Sequence, residues 1–221
     1  MQRFFDIVFS GIALVLLSPL LLPLMFILRI TGEGEIFFPQ SRVGRGGKNF
    51  KLYKFATMLK DSPNMGTGTV TVKNDPRVLP MGGFLRKTKI NELPQLINIF
   101  NGDMSVIGPR PQTQRCFNAF PLSSQKKIIK VRPGLSGIGS IIFRDEEDMM
   151  YANNDPDKFY DEIVMPYKGS LEDWYVSHHN IVSYFSLICL TIWVVLGLSS
   201  GLVWKLFGDL PPPPIELTPW M

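Results

Sequence analysis

The chain has 221 residues and a formal net charge of +4, a size that suits one good core with an appendage. The charge is unevenly spread, with Arg29, Arg42, Arg45, Lys48, Lys51 and Lys54 set against only Glu33 and Glu35, and ten acids against three bases between Arg144 and Asp173. No motif that reads RNA or DNA accompanies the basic stretch, which argues against nucleic acid as a partner and for anionic headgroups or phosphates. Cys116 and Cys189 lie far apart without metal-ligand spacing and are expected to be reduced, buried thiols of a cytoplasmic setting.

Ile7–Leu28 is an uncharged run of 22 residues between Asp6 and Arg29. As a straight helix it reaches roughly 33 Å at about 1.5 Å per residue, enough to cross a bilayer. A cleaved signal peptide fits less well, because no small-x-small site follows it. Ser18-Pro19 offers a third reading. Proline removes a helix hydrogen bond, so the helix is expected to break there, with Ser18 helping to satisfy the freed carbonyl. A helix broken in its middle enters and leaves on one face, with Arg3 and Arg29 snorkelling to the same headgroups. The residues alone leave span and hairpin open.

Ile36–Phe38 and Phe50–Lys54 flank Gly44-Arg45-Gly46-Gly47 and read as a β-hairpin. Thr57–Val72 reads as an irregular loop and Asn74-Asp75-Pro76-Arg77 as a turn. Gly82–Leu85 starts a short helix, and Glu92–Phe100 forms a firmer one with Pro94 in its first turn and Gly102 as its stop. Leu93, Leu96, Ile97 and Phe100 share a face of that helix and are expected in the core. Ser124–Val131, Tyr151–Val164 and Ser170–Ser177 complete a mostly α body. Adjacent His178 and His179 point apart on a helix and suit interfacial packing better than a metal. The second uncharged run, Ile181–Trp204, is diluted by serines and glycines and carries Tyr184, Trp193 and Trp204, which favours an interfacial or partly immersed helix over a span. Pro211–Pro214 reads as a short extended peg.

The densest chemistry lies in Leu85–Pro111. Arg86-Lys87-Thr88-Lys89 precedes Asn91-Glu92, and Arg110 sits in a stiff Pro109-Arg110-Pro111 turn, which suits bidentate phosphate binding at little entropic cost. Glu92 either holds Mg2+ against a diphosphate or closes a salt bridge with Arg86 or Lys89.

These features resemble the bacterial sugar transferase family of monotopic phosphoglycosyl transferases. The resemblance runs through Ser18-Pro19, Phe38-Pro39-Gln40-Ser41-Arg42-Val43-Gly44, Lys54-Phe55, Asp75-Pro76-Arg77 and Leu85-Arg86-Lys87-Thr88. It continues through Glu92-Leu93-Pro94-Gln95-Leu96, Gly102-Asp103-Met104-Ser105, Gly108-Pro109-Arg110-Pro111 and Arg132-Pro133-Gly134. It implies a mostly α, membrane-associated protein with a small β-hairpin: a re-entrant helix-break-helix at 1–31, a cytoplasmic catalytic domain at 32–180, an interfacial or immersed helix at 181–207 and a Pro-rich tail at 208–221. The implied location is the bacterial inner membrane, facing the cytoplasm.

The implied reaction joins a nucleotide sugar, with uridine the usual base, to polyprenyl phosphate, giving polyprenyl diphosphate sugar and nucleoside monophosphate at the start of surface glycan assembly. Site residues carried over are Glu92 and Asn91 as catalytic, Glu92 as the ligand of Mg2+, and Lys54, Arg86, Arg110 and Arg132 as phosphate-binding. Membrane phospholipids are implied partners, with a second copy of the chain or downstream glycosyltransferases as further candidates. In the family an Asp-Glu dyad carries a covalent phosphosugar on its aspartate; here the position reads Asn91. Ala56 and Tyr184 also depart from the pattern, the latter where an acidic residue is usual. Three accounts follow: another carboxylate is the nucleophile, the lipid phosphate attacks directly, or the chain is an inactive relative that binds lipid phosphate or scaffolds glycan enzymes.

Overall fold

A computed structural model describes residues 1–65, 75–144, 146, 149 and 155–220. The expected loop at Thr57–Val72 and the helix start at Tyr151 lie partly outside these residues. The described chain is mostly helical, with one small antiparallel sheet and a long apolar helix at its start. It divides into two compact units, one formed by residues 1–6, 42–50 and 102–221 and the other by 7–41 and 51–101.

Helix α1 runs from Gln2 to Ile30 and is long and apolar enough to cross a membrane. Only 17 % of its most apolar window is buried within the protein, so it is not a core helix. The expected break at Ser18-Pro19 is not an interruption: the helix continues through Pro19 and Pro23. Pro19 has no N–H to give to the Val15 carbonyl, and Ser18 Oγ donates to that oxygen at 2.7 Å instead. The orphaned acceptor is thus satisfied inside the helix, and any change of direction there is a bend rather than a loop.

In the unit of residues 7–41 and 51–101, Leu21, Leu24 and Leu28 of α1 pack with Phe55 and Leu85. Strands β1 (Phe37–Val43) and β2 (Asn49–Phe55) form the expected hairpin, longer than its sequence signal. Phe37 stacks on Phe55 at 5.7 Å. Helices α2 (Gly82–Lys87) and α3 (Gln95–Asn101) follow. The core face expected for α3 is corrected: Gln95, Leu96, Asn98 and Ile99 are buried, whereas Phe100 is 47 % exposed. Asn98 turns inward because its amide ties down β2, accepting from Tyr53 N at 2.9 Å and donating to Lys51 O at 2.8 Å. Phe100 instead lies over Gly11 of α1, 3.4 Å from where a Cβ would stand.

The unit of residues 1–6, 42–50 and 102–221 holds the larger core. Strands β3 (Ser105–Ile107) and β4 (Gly134–Ser136) form a short parallel pair, pairing Ser105 with Gly134 and Ile107 with Ser136. Three residues per strand leave no periodic signal in the sequence. Helices α4 (Gln114–Asn118), α5 (Leu122–Ile128) and α6 (Ile138–Ile142) lead to α7 (Pro156–Phe159), which passes through a π-helical turn into α8 (Met165–His178).

Helix α9 (Ile181–Val195) is capped reciprocally by Asn180 and Ser183 and stops before Gly197, whose φ is 87°. Its 15 residues reach only roughly 22 Å, short of a bilayer core of about 30 Å. A short α10 (Leu202–Leu206) follows. The Pro-rich tail, expected as a short extended peg, is docked on the core. Leu210 and Leu217 are buried in the core, and Pro211 O accepts from Tyr167 Oη at 2.9 Å. Cys116 is half-buried and Cys189, on the outer face of α9, is exposed; both are free thiols, which corrects the expectation that both are buried.

The first two turns of α1 are fixed to this unit by polar contacts. Asp6, 1 % exposed, accepts from Ser105 Oγ at 2.9 Å, Val106 N at 2.9 Å and Tyr184 Oη at 3.0 Å. Gln2 Nε2 donates to Ser105 Oγ and to Ile107 O. Tyr184 therefore supplies a donor where a second acid would repel Asp6. Tyr184→Phe should lower the unfolding free energy by about 1–3 kcal/mol, the cost of one unmet hydrogen bond at a buried carboxylate, read by denaturant titration in detergent. An unchanged midpoint would count against the role given to this hydroxyl.

Candidate active site

Lys89 closes α2 with a left-handed turn at φ 58°, the one non-glycine residue with positive φ among those described. This turn leads into a 3-10 segment, Ile90–Glu92, in which Asn91 is buried and Glu92 half-buried. Glu92 Oε1 meets Lys54 Nζ of β2 at 3.1 Å, with both side chains less than one-fifth exposed. The salt bridge expected to Arg86 or Lys89 is thus found to Lys54, one of the sequence-predicted phosphate ligands. Arg86, also half-buried, points Nη1 at Met58 Sδ, 3.6 Å away. Asn91 Oδ1 is buried without a hydrogen-bond partner. A buried amide oxygen left unmet costs about 1–3 kcal/mol, so this atom is a natural contact for a ligand.

Two neighbouring oxygens of this kind, one carboxylate and one amide, are hard donors of the type Mg2+ accepts when substrate phosphates complete its shell. Among the described residues no group of three or more His, Cys, Asp or Glu could hold a metal without such help. The residues therefore fit a substrate-bridged Mg2+ and not an all-protein cage.

The turn expected around Asp75-Pro76-Arg77 is present, with Val78 N donating to Asp75 O at 3.1 Å, and it also carries an ion pair. Asp75 and Arg77 are both buried, joined from Oδ1 to Nε at 2.8 Å and from Oδ2 to Nη2 at 2.5 Å. Arg77 Nη1 also donates to Ser62 O and Met65 O, each at 2.8 Å, so the pair holds the backbone at those two residues.

Arg110 and Arg132 belong to the other unit. Arg110 is exposed between buried Pro109 and Pro111, as the stiff turn requires. Behind it, backbone lies on backbone: Gly134 N donates to Pro109 O at 2.8 Å and Gly108 N to Ser136 O at 2.9 Å. A Cβ on Gly134 would fall 2.1 Å from Gly108 N, and one on Gly137 2.2 Å from Gly108 O. Only glycine permits this approach, so the Gly-Pro-Arg-Pro and Arg-Pro-Gly turns form one rigid piece. Sequence motifs mark both turns but not that they interlock.

A buried ionic group backs the Arg110 turn. Glu172 of α8 is 3 % exposed, accepts the Arg110 backbone N–H, and has Oε2 without a partner. Lys168 Nζ bonds Glu146 Oε1 and lies over the Phe143 ring at 4.8 Å. Burial pushes the Glu172 carboxyl up to about 8, against the downward pull of the Arg110 N–H and the Lys168 charge. Burial likewise lowers the Lys168 ammonium, against the pull of Glu146. Nothing in the spacing of these residues announces the cluster.

A model of the Bacterial sugar transferase family matches residues 1–198. The chain belongs to this family. It is 36% identical over 165 residues to the exopolysaccharide production protein ExoY of Rhizobium meliloti, covering 68% of this chain and 72% of that protein. It is 36% identical over 205 residues to the galactosyl transferase CpsE of Streptococcus agalactiae, covering 88% of this chain and 42% of that one. It is also 36% identical over 153 residues to the UDP-glucose:undecaprenyl-phosphate glucose-1-phosphate transferase of Escherichia coli, covering 68% of this chain and 33% of the relative. The last two are thus matched over less than half their length.

The Glu172 carboxyl gives this sugar transferase a measurable pH response. Between about pH 4.5 and 8 the folded state keeps a proton that the unfolded chain has released, so this group's contribution to stability falls as pH rises through that window. Glu172→Gln should flatten the decline of Tm in detergent between those limits, and an equal decline in the variant would refute the assignment.

Proposed function

We propose that this chain transfers a sugar 1-phosphate from a UDP-sugar to polyprenyl phosphate, releasing UMP, as the first step of a surface glycan. The name of its E. coli relative supports the reaction class, and that of its R. meliloti relative the link to exopolysaccharide. The observation that carries it in this chain is the Lys54–Glu92 pair beside the unmet Asn91 oxygen, a half-buried set of polar groups suited to a diphosphate. The inactive-scaffold reading is not favoured, since the phosphate-binding side chains are all present.

The acceptor phosphate is already an anion and needs no general base. One of its oxygens forms a bond to the sugar-bearing phosphorus, and the bond from that phosphorus to the bridging oxygen breaks, so UMP leaves with the electron pair. An amide oxygen at residue 91 is a poor nucleophile, which favours this direct displacement over a covalent intermediate. The chain's own contribution is then position and charge: Arg86 and Lys54 hold phosphate oxygens, and Lys54 keeps Glu92 oriented. Mg2+, held by Glu92 and the Asn91 amide oxygen, would neutralise the diphosphate.

In this reading α1 is a re-entrant helix, bent where Pro19 and Pro23 each remove a backbone donor, and it returns to the cytoplasmic face of the bacterial inner membrane. Helices α9 and α10 lie in the interface, offering an apolar groove lined by Ile181, Val182, Phe185, Cys189, Trp193 and Leu206.

Purified protein in nanodiscs should release UMP from one member of a UDP-sugar panel only when polyprenyl phosphate and Mg2+ are both supplied. No release from any member would defeat the proposal. Glu92→Gln should lower turnover by roughly a hundred-fold or more, and full activity would remove Glu92 from the site. Intact-mass measurement with UDP-sugar alone should show no adduct; a phosphosugar on the protein would replace direct displacement with a covalent route. In a background lacking Cys116 and Cys189, Phe4→Cys and Thr31→Cys should label from the same side of sealed vesicles, and opposite-side labelling means a span.

A further inference from the structure

We propose that Glu172 is a positioning residue for Arg110, holding the turn that carries this arginine through its main chain. The assignment rests on the reading of Arg110 as a phosphate ligand in the proposed reaction. Every group it involves belongs to the unit of residues 1–6, 42–50 and 102–221.

Glu172 and Tyr175 stand three residues apart on α8, so they share a face of that helix, and both are buried. Glu172 accepts the Arg110 N–H, and because Oε2 has no partner the accepting oxygen is Oε1. Tyr175 Oη donates to Ile107 O at 3.0 Å. One face of α8 thus holds the segment 107–110 at both ends, with a donor at one and an acceptor at the other. Between them, Gly108 N donates to Ser136 O and Pro109 O accepts from Gly134 N, while Pro109 has no N–H to give. The exposed Arg110 side chain takes no part in this hold.

The carboxyl reaches the Arg110 N–H through space that α6 leaves open. A Cβ on Gly139 would fall 2.5 Å from Glu172 Oε1, and beyond its own helix and chain neighbours it would meet only this carboxyl within 4 Å. Gly139 lies inside α6 without a positive φ, so its backbone has no need of glycine. Glycine there costs the helix about 1 kcal/mol relative to alanine. What it supplies in return is room for the Glu172 carboxyl. Burial raises that carboxyl to about 8, with Asp173 adding to the rise and the Arg110 N–H and Lys168 opposing it. At pH 7 it is therefore a neutral acceptor, for which a glutamine amide oxygen can stand.

Arg110 carries the single backbone amide of the segment 109–111, because both its neighbours are prolines. Its hydrogen exchange can therefore be read by fragment mass on the full chain in nanodiscs. Gly139→Ala should displace the Glu172 carboxyl with Tm preserved and speed exchange at Arg110 by roughly ten-fold. Glu172→Leu should do the same, and Glu172→Gln should restore protection. In UMP release, Gly139→Ala and Glu172→Leu should each lower kcat/KM for the UDP-sugar by roughly ten-fold, with Glu172→Gln recovering most of it. In an Arg110→Ala background neither change should add a further loss, which separates positioning of this side chain from a general loosening of the fold. Wild-type exchange in Gly139→Ala, or losses that add to that of Arg110→Ala, overturns the proposal. A wild-type protein that releases no UMP would defeat the proposed reaction instead, and the exchange result alone would then decide whether Glu172 holds Arg110.

Discussion

A single buried carboxylate governs how the apolar helix begins. Asp6 lies in the second turn of α1, and in lipid or in a dry core an ionised group without partners is costly. Ser105, Val106 and Tyr184 meet it with three donors, drawn from the start of β3 and from α9. The start of the apolar helix is thereby tied to the strand that leads into the Gly-Pro-Arg-Pro turn. Arg3, one turn earlier, is delivered to Gly102 by the same constraint. Residues 2–6 of the helix thereby acquire a fixed register within the unit they open.

Much of the architecture was legible because it rests on strong local signals. The uncharged run over Ile7–Leu28, the hairpin around Gly44–Gly47 and the stop at Gly102 each follow from side-chain polarity or backbone freedom. Ser18 was expected to serve the carbonyl freed by Pro19, and it does so; that local remedy is also why the helix runs on without an interruption. The α3 face departs from the apolar pattern because apolarity is not the only cause of burial. Asn98 is buried to satisfy the backbone of β2, a partner some 45 residues away that no periodicity reveals. The short parallel pair and the docked Pro-rich tail were missed for the same reason: both depend on contacts distant in sequence.

The site was legible in composition and less so in partnership. Motifs placed Glu92, Asn91, Arg86 and Lys54 together, and these four do belong to one unit. The choice of Lys54 as the partner of Glu92 depends on β2 lying against the 3-10 turn. The Glu172–Lys168 group behind Arg110 was invisible because its members are scattered through what reads as a solvated acidic stretch. Tyr184 illustrates the opposite case, a visible departure whose meaning waits on geometry. Beside Asp6 a hydroxyl donor is the chemically compatible choice.

The interlocked glycines carry a consequence for how such a protein diversifies. With main chain pressed on main chain at Gly108, Gly134 and Gly137, there is no room for a side chain to be added and no slack by which Pro109 and Pro133 can drift apart. The two turns behave as one casting, and the spacing of their arginine backbones is inherited from it. A side chain carried on either turn thus keeps its place relative to the other whatever the loops elsewhere do. A substitution in a neighbouring loop then becomes a local edit that leaves the two turns in register.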